Sequence, residues 1–286
     1  ANAMVASVNS GACFIMVAQY SPQNLLDAIA ENKATIMPAI PSMYQHLLTI
    51  ARSRKASIPR SLRYCVSGGA PLSRSVLKEF GEVFDTRISE GYGLTETTSS
   101  VCCNVDGEGY KEGSIGRAAE GVEMRVFDEN DQELPNGEVG EIVIRSDTVT
   151  PGYWNNDEAT AEQINAEGWF HTGDLGYMDE DGVFFITDRK KDLIIRGGFN
   201  ISPREVEEVI MLHPDIDDAA VVAATDKRGE ETVKAFVVVR DGVELTERDV
   251  VDHCSSNMAP YKRPKIVEFV ESLPKSATGK VLRTEL

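Results

Sequence analysis

The stretch LRYCVSGGAPLSRSVLKEFGEV, residues 62–83, decides the fold. Residues 62–67 read as a short strand, Gly68-Gly69 ends it, and residues 73–83 read as a helix. The same alternation runs upstream, with a strand over 12–17, a helix over 22–31 behind an N-cap Ser21, a strand over 35–37 and a helix over 42–51. Strands alternating with helices predict an α/β layer built on a parallel sheet.

From Gly121 the texture changes. Residues 123–127, 140–145 and 183–187 are β runs separated by the turn signals Pro135-Asn136-Gly137 and Asp179-Glu180-Asp181-Gly182, which predict an antiparallel β unit. Beyond Arg189 the pattern is α+β. Ser202-Pro203-Arg204-Glu205 combines an N-cap serine, proline at the first helical position and glutamate three residues after the cap, so a helix is predicted to about Leu212. Strands follow at 219–224 and 233–239, a helix at 247–254 and a short strand at 266–270. The tail, 274–280, holds proline, serine, threonine and glycine with two lysines, and is expected to be a mobile surface loop.

The chain has 286 residues, 42% hydrophobic and 26% charged, which suffices for a packed core and for one large domain or two smaller ones. Its net charge of −17 and pI near 4.7 argue against nucleic acid or an anionic membrane as the main partner, since both are bound by positive surface. Residues 1–188 hold 13 basic and 28 acidic residues, whereas residues 189–286 hold 16 and 18. That step places a boundary near Arg189. The five cysteines (Cys13, Cys65, Cys102, Cys103, Cys254) form no C-x-x-C pair, and the four histidines show no ligand spacing, so neither a disulfide framework nor a zinc site is expected. The most apolar early run, residues 11–18, is far short of the roughly 20 residues a membrane span needs. It also lacks the flanks of a secretory signal. No integral membrane segment is expected, and the cytoplasm is the expected compartment.

Several segments carry residues suited to chemistry. Glu90-Gly91-Tyr92-Gly93-Leu94-Thr95-Glu96-Thr97-Thr98 combines glycines that let a ligand approach the backbone, an aromatic face for a purine in Tyr92, a hydroxyl for phosphate in Thr95 and a carboxylate for Mg²⁺ in Glu96. By itself it reads equally as a glycine turn followed by a polar helix start. Ser67-Gly68-Gly69-Ala70-Pro71 lies beyond a strand's carboxyl end, where ligands of open α/β sheets sit, although alone it is an ordinary βα turn. Trp169-Phe170-His171-Thr172-Gly173-Asp174 supplies a carboxylate able to hold a ribose diol, or simply a turn aspartate; His171 reads as structural, with nothing to pair with. Asp188-Arg189-Lys190-Lys191-Asp192, followed by Gly197-Gly198, is either a solvated linker or a hinge with Arg189 facing a nucleotide. Lys280, in Lys275-Ser276-Ala277-Thr278-Gly279-Lys280, is a solvating surface lysine unless the site needs a cation on an arm.

In this order the segments S-G-G-A-P, G-Y-G-L-T-E-T-T, W-F-H-T-G-D, D-R-K-K-D and P-K-S-A-T-G-K resemble the adenylate-forming superfamily of acyl-CoA synthetases, beetle luciferases and peptide-synthetase adenylation domains. Pro151-Gly152-Tyr153-Trp154-Asn155 and the neighbourhood of Ala259-Pro260-Tyr261 are similar to acyl-CoA synthetases. The resemblance covers the chain from about residue 10 to its end and implies a role for each motif residue. Gly68, Gly69 and Ala70 line adenine, and Tyr92 stacks on it. Thr95 meets the α-phosphate, Glu96 holds Mg²⁺, and Asp174 takes the ribose hydroxyls with Arg189. Lys191 sits at the hinge, Gly198 belongs to a strand approaching the pantetheine tunnel, and Lys280 spans carboxylate, ribose and phosphate during adenylation. The implied domains are a partial AMP-binding N-terminal domain over 1–188, a hinge over 189–191 and a lid domain over 192–286. The implied activity is ATP-dependent conversion of a carboxylic acid to an acyl adenylate and then to its coenzyme A thioester. Small residues at Gly91, Gly93 and 99–103 leave room for a pocket, and the acyl-CoA synthetase flavour of the last third suggests a fatty or other apolar acid.

The family's phosphate loop, a Ser/Thr/Gly-rich run ending in Pro-Lys-Gly, has no counterpart in residues 1–286. The chain is therefore expected to be an N-terminally truncated piece that binds ATP poorly and has little adenylation activity alone, because backbone amides of such a loop offset triphosphate charge. The competing readings are an adenylation domain that loads a carrier protein, a luciferase-like oxygenase, and a non-catalytic nucleotide-binding module.

Overall fold

The structure, a computed structural model, describes residues 2–53, 58–105, 107, 109–226, 229–276 and 279–286. The chain divides into two compact units, residues 1–123 with 146–153, and residues 124–145 with 154–286.

The first unit runs α1 (Asn2–Asn9), α2 (Pro22–Asn32), β1 (Ile36–Ala39), α3 (Pro41–Ser53), β2 (Tyr64–Ser67), α4 (Arg74–Phe84), β3 (Ile88–Leu94), β4 (Ser99–Cys103) and β5 (Arg117–Ala118). Its sheet has the order β1-β2-β3-β4-β5, with β1 to β3 parallel and β4 and β5 added antiparallel. Two helices start on serine caps, Ser21 as predicted and Ser73, expected from sequence to lie inside its helix. Ser21 Oγ accepts the Asn24 N–H at 3.0 Å ahead of Pro22, and Ser73 Oγ accepts the Val76 N–H at 3.3 Å. Both helices stop on a left-handed residue, Lys33 (φ 50°) and Asp85 (φ 57°). Their apolar faces, with that of α3, enclose Leu26, Tyr44, Leu47, Phe80 and Phe84 against Met37, Cys65 and Ile88 of the strands. Each such side chain contributes about 1.5–3 kcal/mol on burial. Tyr44 remains satisfied there because its hydroxyl donates to Met37 O and Val66 O at 2.9 and 3.0 Å.

The strand expected over 12–17 is absent. Phe14 and Met16 are exposed (43% and 77%), and β1, at the sheet edge, pairs only with β2. An apolar run with no neighbour to complete its ladder stays irregular.

Strand β6 (Glu123–Phe127) leads into the second unit, followed by β7 (Gly140–Arg145), α5 (Asp157–Gln163), β8 (Phe170–Met178) and β9 (Phe184–Arg189). These strands form a sheet of order β6-β7-β8-β9, antiparallel from β7 to β9, as the turn signals predict. Then come β10 (Ile194–Arg196), β11 (Phe199–Ile201), α6 (Pro203–Ile210), β12 (Ile216–Thr225), β13 (Glu231–Val239), α7 (Glu247–Asn257) and β14 (Ile266–Phe269). Strands β12, β13 and β14 form a sheet whose one face buries Val221, Val233, Ala235, Val237 and Val267 under Val206, Ile210, Val250 and Cys254 of α6 and α7. Alternate residues Ala220 and Phe236 face the other way, onto Leu273.

Residues 188 and 189 both lie inside this second unit. Buried Asp188, near the end of β9, accepts from Ser202 Oγ and from the Arg204 N–H (3.1 Å), while Arg204 Nη1 donates to Ile186 O at 3.0 Å. These bonds tie the start of α6 to the antiparallel sheet. Among the described residues no helix is long and apolar enough to cross a membrane.

Candidate functional site

Each unit brings together one group of the expected site residues. In the first, Gly68, Gly69 and Ala70 follow the carboxyl end of β2, and Tyr92 lies near the end of β3. Ser67 is the register partner of Glu90, and a Cβ on Gly68 would stand 3.3 Å from Gly91 O, so the two glycine motifs run side by side. Gly93 is required by packing, because its Cβ would fall 1.8 Å from Ser99 O.

Thr95–Thr97 form a single 3-10 turn rather than the start of a helix. Thr98 (φ 56°) and Ser99 (φ 106°) then hold left-handed backbone that non-glycine residues rarely adopt. Strain of this kind, on the order of 1–3 kcal/mol per residue, persists only where the surroundings over-determine it. Here residues 146–153 supply the bracing. The Thr150 N–H donates to Glu96 O at 2.6 Å, Thr98 Oγ1 donates to Thr148 O at 2.8 Å, and the Tyr153 hydroxyl donates to Glu96 Oε1 at 3.0 Å. Burial, and then the Glu96 carboxylate, raise Tyr153 above the usual phenol value, which keeps it a donor. Tyr153 stands in sequence only as part of a motif; its contact with Glu96, 57 residues away, gives it a role. Thr95 is exposed and Glu96 half-buried, with Oε2 accepting no hydrogen bond among the described residues. One such carboxylate suits Mg²⁺, which is commonly held by one or two carboxylates together with substrate phosphates.

In the second unit Asp174 lies on β8 opposite Arg189 of β9, with Oδ1 3.0 Å from Nε. Asp174 is 4% exposed. The T-G-D segment is neither a free turn nor a regular strand. Between the pairs Val143↔His171 and Glu141↔Leu175 the β8 chain advances twice as far as β7, and Gly173 takes φ 70° to make the excursion. Such a bulge re-aims a side chain. Thr172 Oγ1 donates to Ile142 O (2.7 Å) and accepts the Asp174 N–H (3.1 Å), fixing the bulge from within.

Lys191 is exposed and Lys280 half-buried. Burial lowers the Lys280 ammonium pKa below its usual value, as do the charges of Arg189 and Lys191, against the opposing pull of Asp174 and Asp192. Lys280 therefore lies within the field of the Asp174–Arg189 pair. The described part of the tail is more ordered than a loose loop, since Lys275 and Val281 form an antiparallel bridge and the Ser276 N–H donates to Lys280 O at 2.8 Å. Ala277 and Thr278 lie outside the described residues.

Two further expectations are corrected. Gly198 is not on a strand: Gly197 (φ 58°) and Gly198 (φ 81°) are the two turn residues of the β10–β11 hairpin, both in the left-handed region that a tight hairpin turn demands. His171 is not unpaired, for its Nδ1 lies 3.4 Å from Glu141 Oε2 and its Nε2 3.6 Å from Asp131 Oδ1.

Residues 1–154 match the AMP-binding enzyme family, and residues 205–280 match the AMP-binding enzyme C-terminal domain. A long-chain-fatty-acid–CoA ligase of Bacillus subtilis is 39% identical, over 98% of this chain and 50% of its own length. A 4-coumarate–CoA ligase of Solanum tuberosum is 38% identical, over 99% of this chain and 53% of its own. The crystal structure of ATP-bound MatB from Rhodopseudomonas palustris superposes with a TM-score of 0.91 at 34% identity, covering 99% of this chain and 56% of that one. The chain belongs to the AMP-binding enzyme family. It spans about half the length of the curated relatives it matches.

Proposed function

We propose that the whole protein carrying this chain is an AMP-forming acid–thiol ligase. A carboxylate oxygen attacks the α-phosphorus of ATP, the bond to the β-phosphate oxygen breaks and pyrophosphate leaves. The thiol of coenzyme A then attacks the acyl carbon and AMP departs. The observation that carries this reading is the grouping of Asp174, Arg189 and Lys280 in one unit, with the lysine pKa lowered first by burial and then by the charges of Arg189 and Lys191. Asp174 takes the ribose hydroxyls, Arg189 orients that carboxylate, and Lys280 offsets the repulsion between the attacking carboxylate and the phosphate. Thr95 meets the α-phosphate, while Gly68, Gly69, Ala70 and Tyr92 receive adenine. Glu96 would hold Mg²⁺, which would supply charge neutralisation on the phosphates.

The acid in this reading is apolar, a fatty acid in the first instance, supported by the similarity to a fatty-acid–CoA ligase. The hinge lies at 189–191, between 1–188 and the lid 192–286, with Lys191 at the pivot and Gly198 on the lid facing the thiol. Five unpaired thiols suit a reducing cytoplasm. Polypeptide 1–286 on its own has little adenylation activity, since it holds no phosphate-loop segment. The test is acid-dependent pyrophosphate release by the whole protein across acetate, octanoate, palmitate and aromatic acids, with chain 1–286 alongside. Release with octanoate or palmitate by the whole protein alone supports the reading. Preference for acetate removes the fatty acid, equal turnover by 1–286 removes the dependence on the phosphate loop, and no release with any acid removes the ligase.

A further inference from the structure

We propose that Glu141 is a positioning residue that holds the Asp174–Arg189 pair in register, an inference that rests on the reading of that pair as the ribose site. Glu141, on β7, is 8% exposed. Its Oε1 accepts the Gly173 N–H at 2.9 Å and its Oε2 accepts from Lys190 Nζ at 3.2 Å. Gly173 immediately precedes Asp174 and Lys190 immediately follows Arg189, so one carboxylate grips β8 and the residue just after β9, next to the pair.

The bulge explains why an acid stands there. Its excursion takes the Gly173 N–H out of the regular β7–β8 ladder, and a part-buried N–H gains from another acceptor. Glu141 Oε1 provides it from within the adjacent strand. The second oxygen then draws in Lys190, whose side chain is 55% exposed, and His171 Nδ1 stands 3.4 Å from the same oxygen. Three groups, the Gly173 N–H, Lys190 and His171, thus converge on two carboxylate oxygens. A glutamine has only one oxygen and presents an N–H₂ to the other donor, so it satisfies Gly173 or Lys190 but not both. Without the grip the bulge is free to relax, and Asp174 loses its fixed direction while keeping its charge.

Binding of AMP and of 2′,3′-dideoxy-AMP to the 286-residue chain, followed by NMR titration, tests this. AMP carries no pyrophosphate, so the comparison does not need a phosphate loop. Wild type prefers AMP over the dideoxy nucleotide by about tenfold, the size of a charge-assisted hydrogen bond. Glu141→Gln lowers that preference below about threefold with affinity for the dideoxy nucleotide unchanged, whereas a merely structural role lowers both affinities together. Lys190→Met, at an exposed position, lowers the preference in the same direction and serves if Glu141→Gln fails to fold. Retained preference in Glu141→Gln or Lys190→Met, with loss in Asp174→Asn, overturns the positioning role and leaves the ribose reading standing. Absence of preference in wild type, or its persistence in Asp174→Asn, overturns the ribose reading itself.

Discussion

Asp174 and Arg189 are direct partners across β8 and β9, and the carboxylate Oδ1 lies 3.0 Å from the guanidinium Nε. The carboxylate side chain is 5% exposed and the guanidinium 33%, so the pair is shielded on one side and open on the other. A planar fork holds a carboxylate in a fixed orientation, which a lysine ammonium on a flexible stem does not. Arg189→Lys, with charge conserved, is expected to weaken AMP binding by about tenfold in calorimetry. Unchanged affinity would show that the carboxylate needs no such orientation.

Lys280 answers to its neighbours. Burial together with the Arg189 and Lys191 charges lowers its pKa, and removing one of those cations moves it back toward 10.5. In NMR of reductively methylated protein, Lys191→Gln raises the titration midpoint of Lys280. An unmoved midpoint would place Lys191 too far away to matter.

A second charged cluster lies in the same unit. Arg283, near the end of the chain, donates to both oxygens of Glu207 at 2.7 and 2.9 Å, and Val221 N–H adds a third bond at 2.8 Å. Burial nonetheless pushes Glu207 from its ordinary 4.5 up to about 7, against the pull of Arg283. Between those values the folded chain keeps a proton that the unfolded chain has released. The stability this provides is full below 4.5 and is lost as pH rises through 7. Urea unfolding from about pH 5 to about pH 8 is therefore steeper in pH for wild type than for Glu207→Gln. Identical slopes would contradict the assignment.

All five cysteines are free of disulfides, and of them Cys13 is exposed. Burial pushes Cys65 and Cys102 up to about 12 and Cys254 up to about 11, and it raises the half-buried Cys103 as well. A thiol-exchange reagent applied to native protein modifies Cys13 first, and Cys13→Ser abolishes the fast phase. A persistent fast phase in that variant would mean the cores around the other thiols open readily.

What sequence reveals about this molecule follows the range of the forces involved. Ser21 and Ser202 mark helix starts correctly because a cap acts over three residues. The alternation around residues 62–83 is likewise local, and it fixes the parallel layer. Strand 12–17 fails because a strand also needs a neighbour, which no local pattern supplies. Gly197-Gly198 is visible as a glycine pair, but its identity as a hairpin turn depends on Ile194 pairing with Ile201. Asp174 is legible as a candidate, whereas its bulge is not, since the register of β8 is set against β7 some thirty residues earlier. Glu141 leaves no sequence signal at all: its partners Gly173 and Lys190 are 32 and 49 residues distant.

The measurement that bears most directly on the ligase reading separates the two half-reactions in the whole protein with Lys280→Ala. Lys280 is assigned to charge offset in the first step alone. Acid-dependent pyrophosphate release should fall by on the order of a hundredfold, the usual cost of removing one electrostatic stabiliser, while thioester formation from supplied acyl adenylate and coenzyme A stays within about twofold of wild type. Equal loss in both half-reactions, or pyrophosphate release that survives the substitution, would contradict the assignment.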